Sequence, residues 1–221
     1  MGRGLTPAEL ARRAGPKSGA QRERDADVAR RILEASRRIL AESGWEALTI
    51  TRICKEAGVY RAAVNYYFGG KEGLAGELIE QLVHDAASQL MTRARSIAPI
   101  GDRIRETVKG LDMLGGRDFQ VAFFESFTHL LRDKNLRGYL ERAYQDSMTS
   151  AALAMGGGNP AAVPRLFPFA TMAVALVDGI IIQQLISPER DYEPVVAAFA
   201  DILTPLVRES LGSETATRSD S

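Results

Sequence analysis

Apolar residues recur at helical spacing along most of the chain and nowhere alternate as a strand requires. Val28, Ile32, Ala35 and Ile39 fall at i, i+4, i+7 and i+11, with Arg30, Arg31, Arg37 and Arg38 off that stripe. Gly44, following Ser43, supplies a C-terminal stop. Trp45 and Leu48 lead to Thr49, a favoured N-cap type, and Ile50, Ile53, Cys54 and Ala57 form the apolar face of a short second helix. Gly58 ends it and Val59 plugs the turn. A third short helix runs from about Tyr60 to Tyr67, with Val64 and Phe68 facing inward and Gly69-Gly70 closing it. Further helices are predicted over 71–95, 102–114, 118–131, 134–155, 163–186 and 192–211, with Gly156-Gly157-Gly158-Asn159-Pro160 the clearest loop.

The pattern predicts an all-α chain of about nine helices without internal repeats. A three-helix N-terminal domain over 25–73 precedes a larger helical domain over 74–211. Residues 1–24, rich in Gly, Arg, Ala and Pro, are expected to form a disordered basic arm, and 212–221 a polar tail.

Composition narrows the class. The 221 residues, 45% hydrophobic and 25% charged, suit a globular protein with a sizeable core. A single cysteine, Cys54, excludes a disulfide framework and a multi-cysteine zinc site. The longest apolar run, 170–186, is interrupted by Asp178, Gln183 and Gln184 and reads as a buried helix rather than a membrane span. No apolar stretch follows the N-terminal arginines, so no secretory leader and a cytoplasmic location are expected. The formal net charge of zero hides an asymmetry: residues 1–73 carry 14 basic and 9 acidic side chains, residues 74–221 carry 14 and 19. A positive first third suggests a polyanionic partner there.

Two short amphipathic helices joined at Ala57-Gly58-Val59 form a helix-turn-helix pattern. In that motif the second helix enters the DNA major groove, about 12 Å wide, while the rest of the domain sets its angle. Arg61 and Asn65 could reach base edges, Arg favouring guanine and Asn adenine, and Ala62 could meet a thymine methyl. Thr49, Thr51 and Arg52 are placed for backbone phosphates. Lys71 opens the next helix, where free N–H groups already favour an anion. Arg52 also reads as a solvated surface residue, and Tyr66 and Tyr67 as core aromatics. Gly70-Lys71 is not a P-loop end, because Asn65 holds the earlier Gly position and Glu72 replaces Ser/Thr.

The run LTITRICKEAGVYRAAVNYYFGGKEGL resembles the DNA-binding segment of the TetR family of bacterial transcriptional regulators. The resemblance rests on Thr49, Ala57, Gly58, Val59, Tyr67, Phe68, Lys71, Glu72 and Leu74 and covers roughly residues 25–75. It adds Tyr66 and Tyr67 as phosphate contacts. Departures are Cys54 in place of a small Ala, Tyr60 in place of a small polar residue at the head of the reading helix, and the small pair Ala62-Ala63. Tyr60 is counted among the DNA-binding residues.

In the C-terminal two thirds, Val195, Phe199, Ile202 and Leu206 form one stripe of the last helix and Val196, Leu203 and Val207 another. The helix before it carries Val174, Val177, Ile181 and Ile182. Faces this wide need partners on two sides. The resemblance implies a homodimer through these two helices, with Val174, Val177, Ile181, Val195, Phe199, Ile202 and Leu206 at its interface. It also implies a small-molecule effector pocket in the middle helices, for which Met113, Phe119, Phe123, Phe124, Phe127, His129, Tyr144 and Met148 are candidates. The phenylalanines suggest an apolar effector. Glu125 and His129 sit at i, i+4 without an evident third metal ligand, so no metal and no cofactor is expected. The expected partners are operator DNA, a second copy and the effector, and no membrane. The rival reading is a helical small-molecule-binding dimer that does not act on DNA. Neither a nucleophile–base pair nor a cofactor loop favours an enzyme.

Overall fold

Thr49 and three glycines punctuate the N-terminal third. A computed structural model describes residues 19–94, 96–111, 117–132 and 134–212. Helix α1 spans Gly19–Ser43 and stops as Gly44 turns left-handed (φ 72°), its N–H bonding Leu40 O at 3.1 Å. Helices α2 (Ile50–Ala57) and α3 (Arg61–Phe68) end on Gly58 (φ 64°) and Gly69 (φ 73°). Only a residue without Cβ adopts such angles at little cost. Then come α4 (Lys71–Ala94), α5 (Ile100–Leu111), α6 (Arg117–Arg132), α7 (Lys134–Met155), α8 (Val163–Ile186) and α9 (Glu193–Gly212). A short 3-10 turn at Pro160–Ala162 precedes α8. Among the described residues there are nine α-helices and no strand, as the hydrophobic pattern predicts.

Two boundaries differ. Helix α1 begins at Gly19, inside the expected disordered arm, in a stretch whose polar sequence gives no stripe to read. Helix α5 covers Ile100–Leu111, and the rest of the expected 102–114 helix lies outside the described residues, as do most of the basic arm and of the polar tail.

The chain forms two compact units. The first contains α1–α3, α4 up to Leu82, α6 and α7 up to Arg142. The second contains the remainder of α4 and α7, together with α5, α8 and α9. The expected boundary at 73/74 thus falls within the first unit.

In the first unit α1 packs on α2, α3 and α6. Ile32, Ile39, Leu48, Ile53, Val64 and Leu74 are fully buried there. On α4, the Tyr139 ring lies directly over Gly76, and Arg142 pairs with Glu80 while its guanidinium sits 4.8 Å above the Tyr139 ring. In the second unit α5 packs on α8 and α9, and α8 on α9. The inner face of α8 is Leu166, Ala170, Ala173, Val174, Val177, Ile180 and Ile181.

Candidate nucleic-acid interface

Local sequence sets the helix-turn-helix geometry before packing does. Thr49 is extended (φ −104°, ψ 147°), and its hydroxyl oxygen accepts from Arg52 N–H at 3.3 Å, the N-cap that starts α2. Such a cap is worth about 1 kcal/mol. At the other end of α2, Val59 N–H bonds Cys54 O at 3.0 Å, and Arg31 of α1 donates to Ala57 O at 3.2 Å. The guanidinium thereby satisfies a carbonyl left open at the helix end.

Helix α3 buries Val64, Tyr67 and Phe68. With that face fixed, the opposite face must point outward. Arg61, Ala62, Asn65 and Tyr66 are exposed there, and Tyr60 at the helix head is 89% exposed. No other described residue bonds the side chains of Arg61 or Asn65, which leaves their donors available to a ligand. A rigid short helix, one face packed and the other solvated and polar, is the arrangement by which base edges are read in a groove.

The expected phosphate contacts divide. Thr51 is exposed beside the capping Thr49. Arg52 pairs with Glu56 at 3.0 Å on the same helix. Lys71 is half-buried, its ammonium 4.6 Å from the Trp45 ring centre and 3.5 Å from Trp45 O. Tyr67 requires a correction: it is buried, and its hydroxyl donates to the buried Asp25 Oδ1 at 2.8 Å. It is a core strut and has no hydroxyl to offer a phosphate. Tyr66, packed edge-on against it with centroids 5.0 Å apart, keeps 56% of its surface exposed. Sequence reasoning missed Asp25 and Arg31, the α1 side chains that hold α3 and α2 in place.

The geometry thus defines a helix-turn-helix DNA-binding domain. Residues 32–78 match the family model for bacterial regulatory proteins of the tetR family, so this segment is similar to the N-terminal part of those transcriptional regulators. The chain is 31% identical over 96 residues to the HTH-type transcriptional regulator BetI 1 of Chromohalobacter salexigens, covering 43% of this chain and 46% of that protein. The matches span less than half the length of the curated relatives. Among solved structures, a transcriptional regulator from Saccharomonospora viridis in complex with choline has a TM-score of 0.61 at 23% identity, covering 80% of this chain and 96% of that one. The transcriptional regulator FadR of Bacillus subtilis, in complex with stearoyl-CoA, has a TM-score of 0.53 at 16% identity over 80% of this chain and 96% of that one. Their shared fold extends well beyond the DNA-binding segment.

The expected effector residues fall in both units. Phe124 and Phe127 on α6 are half-buried in the first. Tyr144 and Met148 on α7 are half-buried in the second. Met113 lies outside the described residues, as do the side chains of Phe119, Phe123, Glu125 and His129. Tyr144 is already committed: its hydroxyl donates to Asp178 Oδ2 at 2.8 Å. Burial raises the Tyr144 pKa, and the neighbouring carboxylate raises it further. Burial also raises Asp178 above the usual carboxylate range, against the lowering effect of the bond from Tyr144.

The expected dimer residues also divide, with a correction. Val174, Val177 and Ile181 are buried inside their own unit and cannot meet a second copy. The outward apolar residues of α8 are instead Met172, Ile182 and Ile186. On α9 Val195, Ile202 and Leu206 are exposed and Phe199 is half-buried, on the face expected. By length and composition the segment 160–186 is apolar enough to cross a membrane, holding an 18-residue stretch with a mean hydropathy of 1.8. Its inner face is filled by its own unit, which accounts for part of that hydropathy.

Proposed function

We propose that this chain is a homodimeric, ligand-responsive repressor that binds a palindromic double-stranded DNA operator through α3 and is released by a small, apolar effector. The observation that carries the reading is the outward face of α3, Tyr60, Arg61, Ala62, Asn65 and Tyr66, above a fully packed inner face. Two such heads related by a two-fold axis match successive major grooves of a palindrome. The exposed apolar stripe of α9, with Met172, Ile182 and Ile186 of α8, supports pairing with a second copy. Such surface is seldom left open to water.

Small-molecule control is supported by the fold shared with the choline-bound and stearoyl-CoA-bound regulators. An effector that favours a different spacing of the heads lowers DNA affinity by its differential binding energy, typically about 1–3 kcal/mol. A repressor acts on the chromosome, hence in the cytoplasm.

The test is a mobility shift on the DNA upstream of the chain's own coding region, over a salt series. The expected result is a retarded dimer complex whose affinity falls steeply as salt rises. A chain that retards no DNA and pairs only with itself is the rival helical ligand-binding dimer.

A further inference from the structure

We propose that residues 1–24 are a second DNA-binding element, an arginine-rich arm that enters the minor groove beside the major groove taken by α3. The inference rests on the operator-binding reading and goes beyond it, because it moves most of the attraction for the phosphate backbone off the helix-turn-helix head.

Charge is the first observation. Residues 25–73, the head itself, carry eight basic and seven acidic side chains. Arg30 pairs with Asp27 and Glu34, Arg31 with Asp27, and Arg52 with Glu56. Such pairs offer a phosphate no net charge. Duplex binding commonly neutralises about six to ten phosphates, and a nearly neutral head does not supply the cations. Residues 1–24 do, with Arg3, Arg12, Arg13, Lys17, Arg22 and Arg24 against Glu9 and Glu23. The positive excess of the first third lies almost wholly ahead of the motif that reads bases.

Placement is the second. Followed toward its N-terminus, α1 first meets the end of α2, where Arg31 donates to Ala57 O. It next meets the last turn of α3, where Asp25 accepts from the Tyr67 hydroxyl. Helix α1 begins six residues further on, at Gly19, which is about 9 Å at helical rise. The chain ahead of it therefore joins the head on the α3 side, past the exposed Tyr66 that packs on Tyr67. Residues 1–18 can span up to about 60 Å, and the neighbouring minor groove lies roughly 17 Å along the duplex, half a helical turn.

Residue type selects the groove. Arginine outnumbers lysine five to one in residues 1–24. A guanidinium is more weakly hydrated than an ammonium and is drawn into a narrow minor groove, where A·T tracts make the potential most negative. An acidic protein would also answer the charge, but not its attachment beside a groove-reading helix.

The test combines Arg3→Ala, Arg12→Ala, Arg13→Ala and Lys17→Ala in the full chain. Fluorescence anisotropy follows binding to a mixed-sequence duplex of about four helical turns and to the upstream DNA, over a salt series. The slope of log affinity against log salt should shrink by about three to four per chain. Distamycin, which fills A·T minor grooves, should weaken the unsubstituted chain and leave the alanine variant nearly unaffected. A second variant, Arg3→Lys, Arg12→Lys and Arg13→Lys, keeps the charge: it should restore the salt slope but not the full sensitivity to distamycin. An unchanged slope and affinity in the alanine variant overturns the arm and leaves the operator reading standing, since the unsubstituted chain still binds. Equal sensitivity of unsubstituted and alanine chains to distamycin overturns the minor-groove assignment. A chain that binds neither duplex overturns both readings.

Discussion

Tyr67 of α3 donates to Asp25 of α1 at 2.8 Å across 42 positions of sequence, and both side chains are buried. Gln21 donates to the same carboxylate oxygen at 3.2 Å. The bond ties the reading helix to the helix behind it. Tyr67→Phe removes the donor while keeping the ring, leaving a buried carboxylate underserved. Chemical denaturation should report a loss of about 1–3 kcal/mol.

Arg61 and Asn65 have no bonded partner within the described chain, so their replacement should leave folding within about 0.5 kcal/mol. Arg61→Ala or Asn65→Ala should relax discrimination at one operator position by about 1–3 kcal/mol. Thr51→Ala should weaken all sequences alike. Binding arrays measured at several salt concentrations separate these behaviours.

A Cβ built on Gly76 would lie 2.4 Å from Cγ of Tyr139, and one on Gly73 would lie 2.0 Å from the carbonyl oxygen of Phe68. Neither neighbour is the loose end of a side chain. Gly76→Ala should cost about 1–3 kcal/mol by overpacking. In a Tyr139→Ala background the same substitution should cost markedly less, and thermal unfolding of the four-member cycle gives the coupling.

The legible part of the fold was the part written as a periodicity. Ile32 and Ile39, or Val64 and Phe68, recur at helical spacing, and each is buried. Tyr67 stands three positions after Val64 on the same face, so the same periodicity places it inside. Asp25 was not legible, because a pairing across 42 positions leaves no local trace. Helix α8 shows a different difficulty. It is apolar nearly all round, so its sequence could not say that Val174, Val177 and Ile181 face inward while Met172, Ile182 and Ile186 face out. That choice is made by the packing of α5 and α9 against it.

The corrected faces give opposite outcomes for one kind of substitution. Ile202 is 65% exposed, so Ile202→Glu should keep the fold and split the proposed dimer in sedimentation or light scattering. Val177 is buried, so Val177→Glu should unfold the chain instead.

Asp178 carries a raised pKa because burial disfavours its charge, even with Tyr144 donating to it. An acid whose folded pKa lies above its unfolded one holds its proton longer in the native state. It therefore erodes stability as pH climbs from the ordinary carboxylate range through the raised value. Asp178→Asn keeps an oxygen for Tyr144 and removes the charge. It should melt higher than the unsubstituted chain at pH 7, and the gain should vanish below about pH 4, where both chains are uncharged at that position.

Because Tyr60, Arg61, Ala62 and Asn65 stand clear of the core, they can be respelled without disturbing what holds α3 upright. Such a scaffold lets a duplicated gene acquire a new address in the genome through changes at a few codons. Promoter and reader are then free to drift together, with no toll on folding along the way.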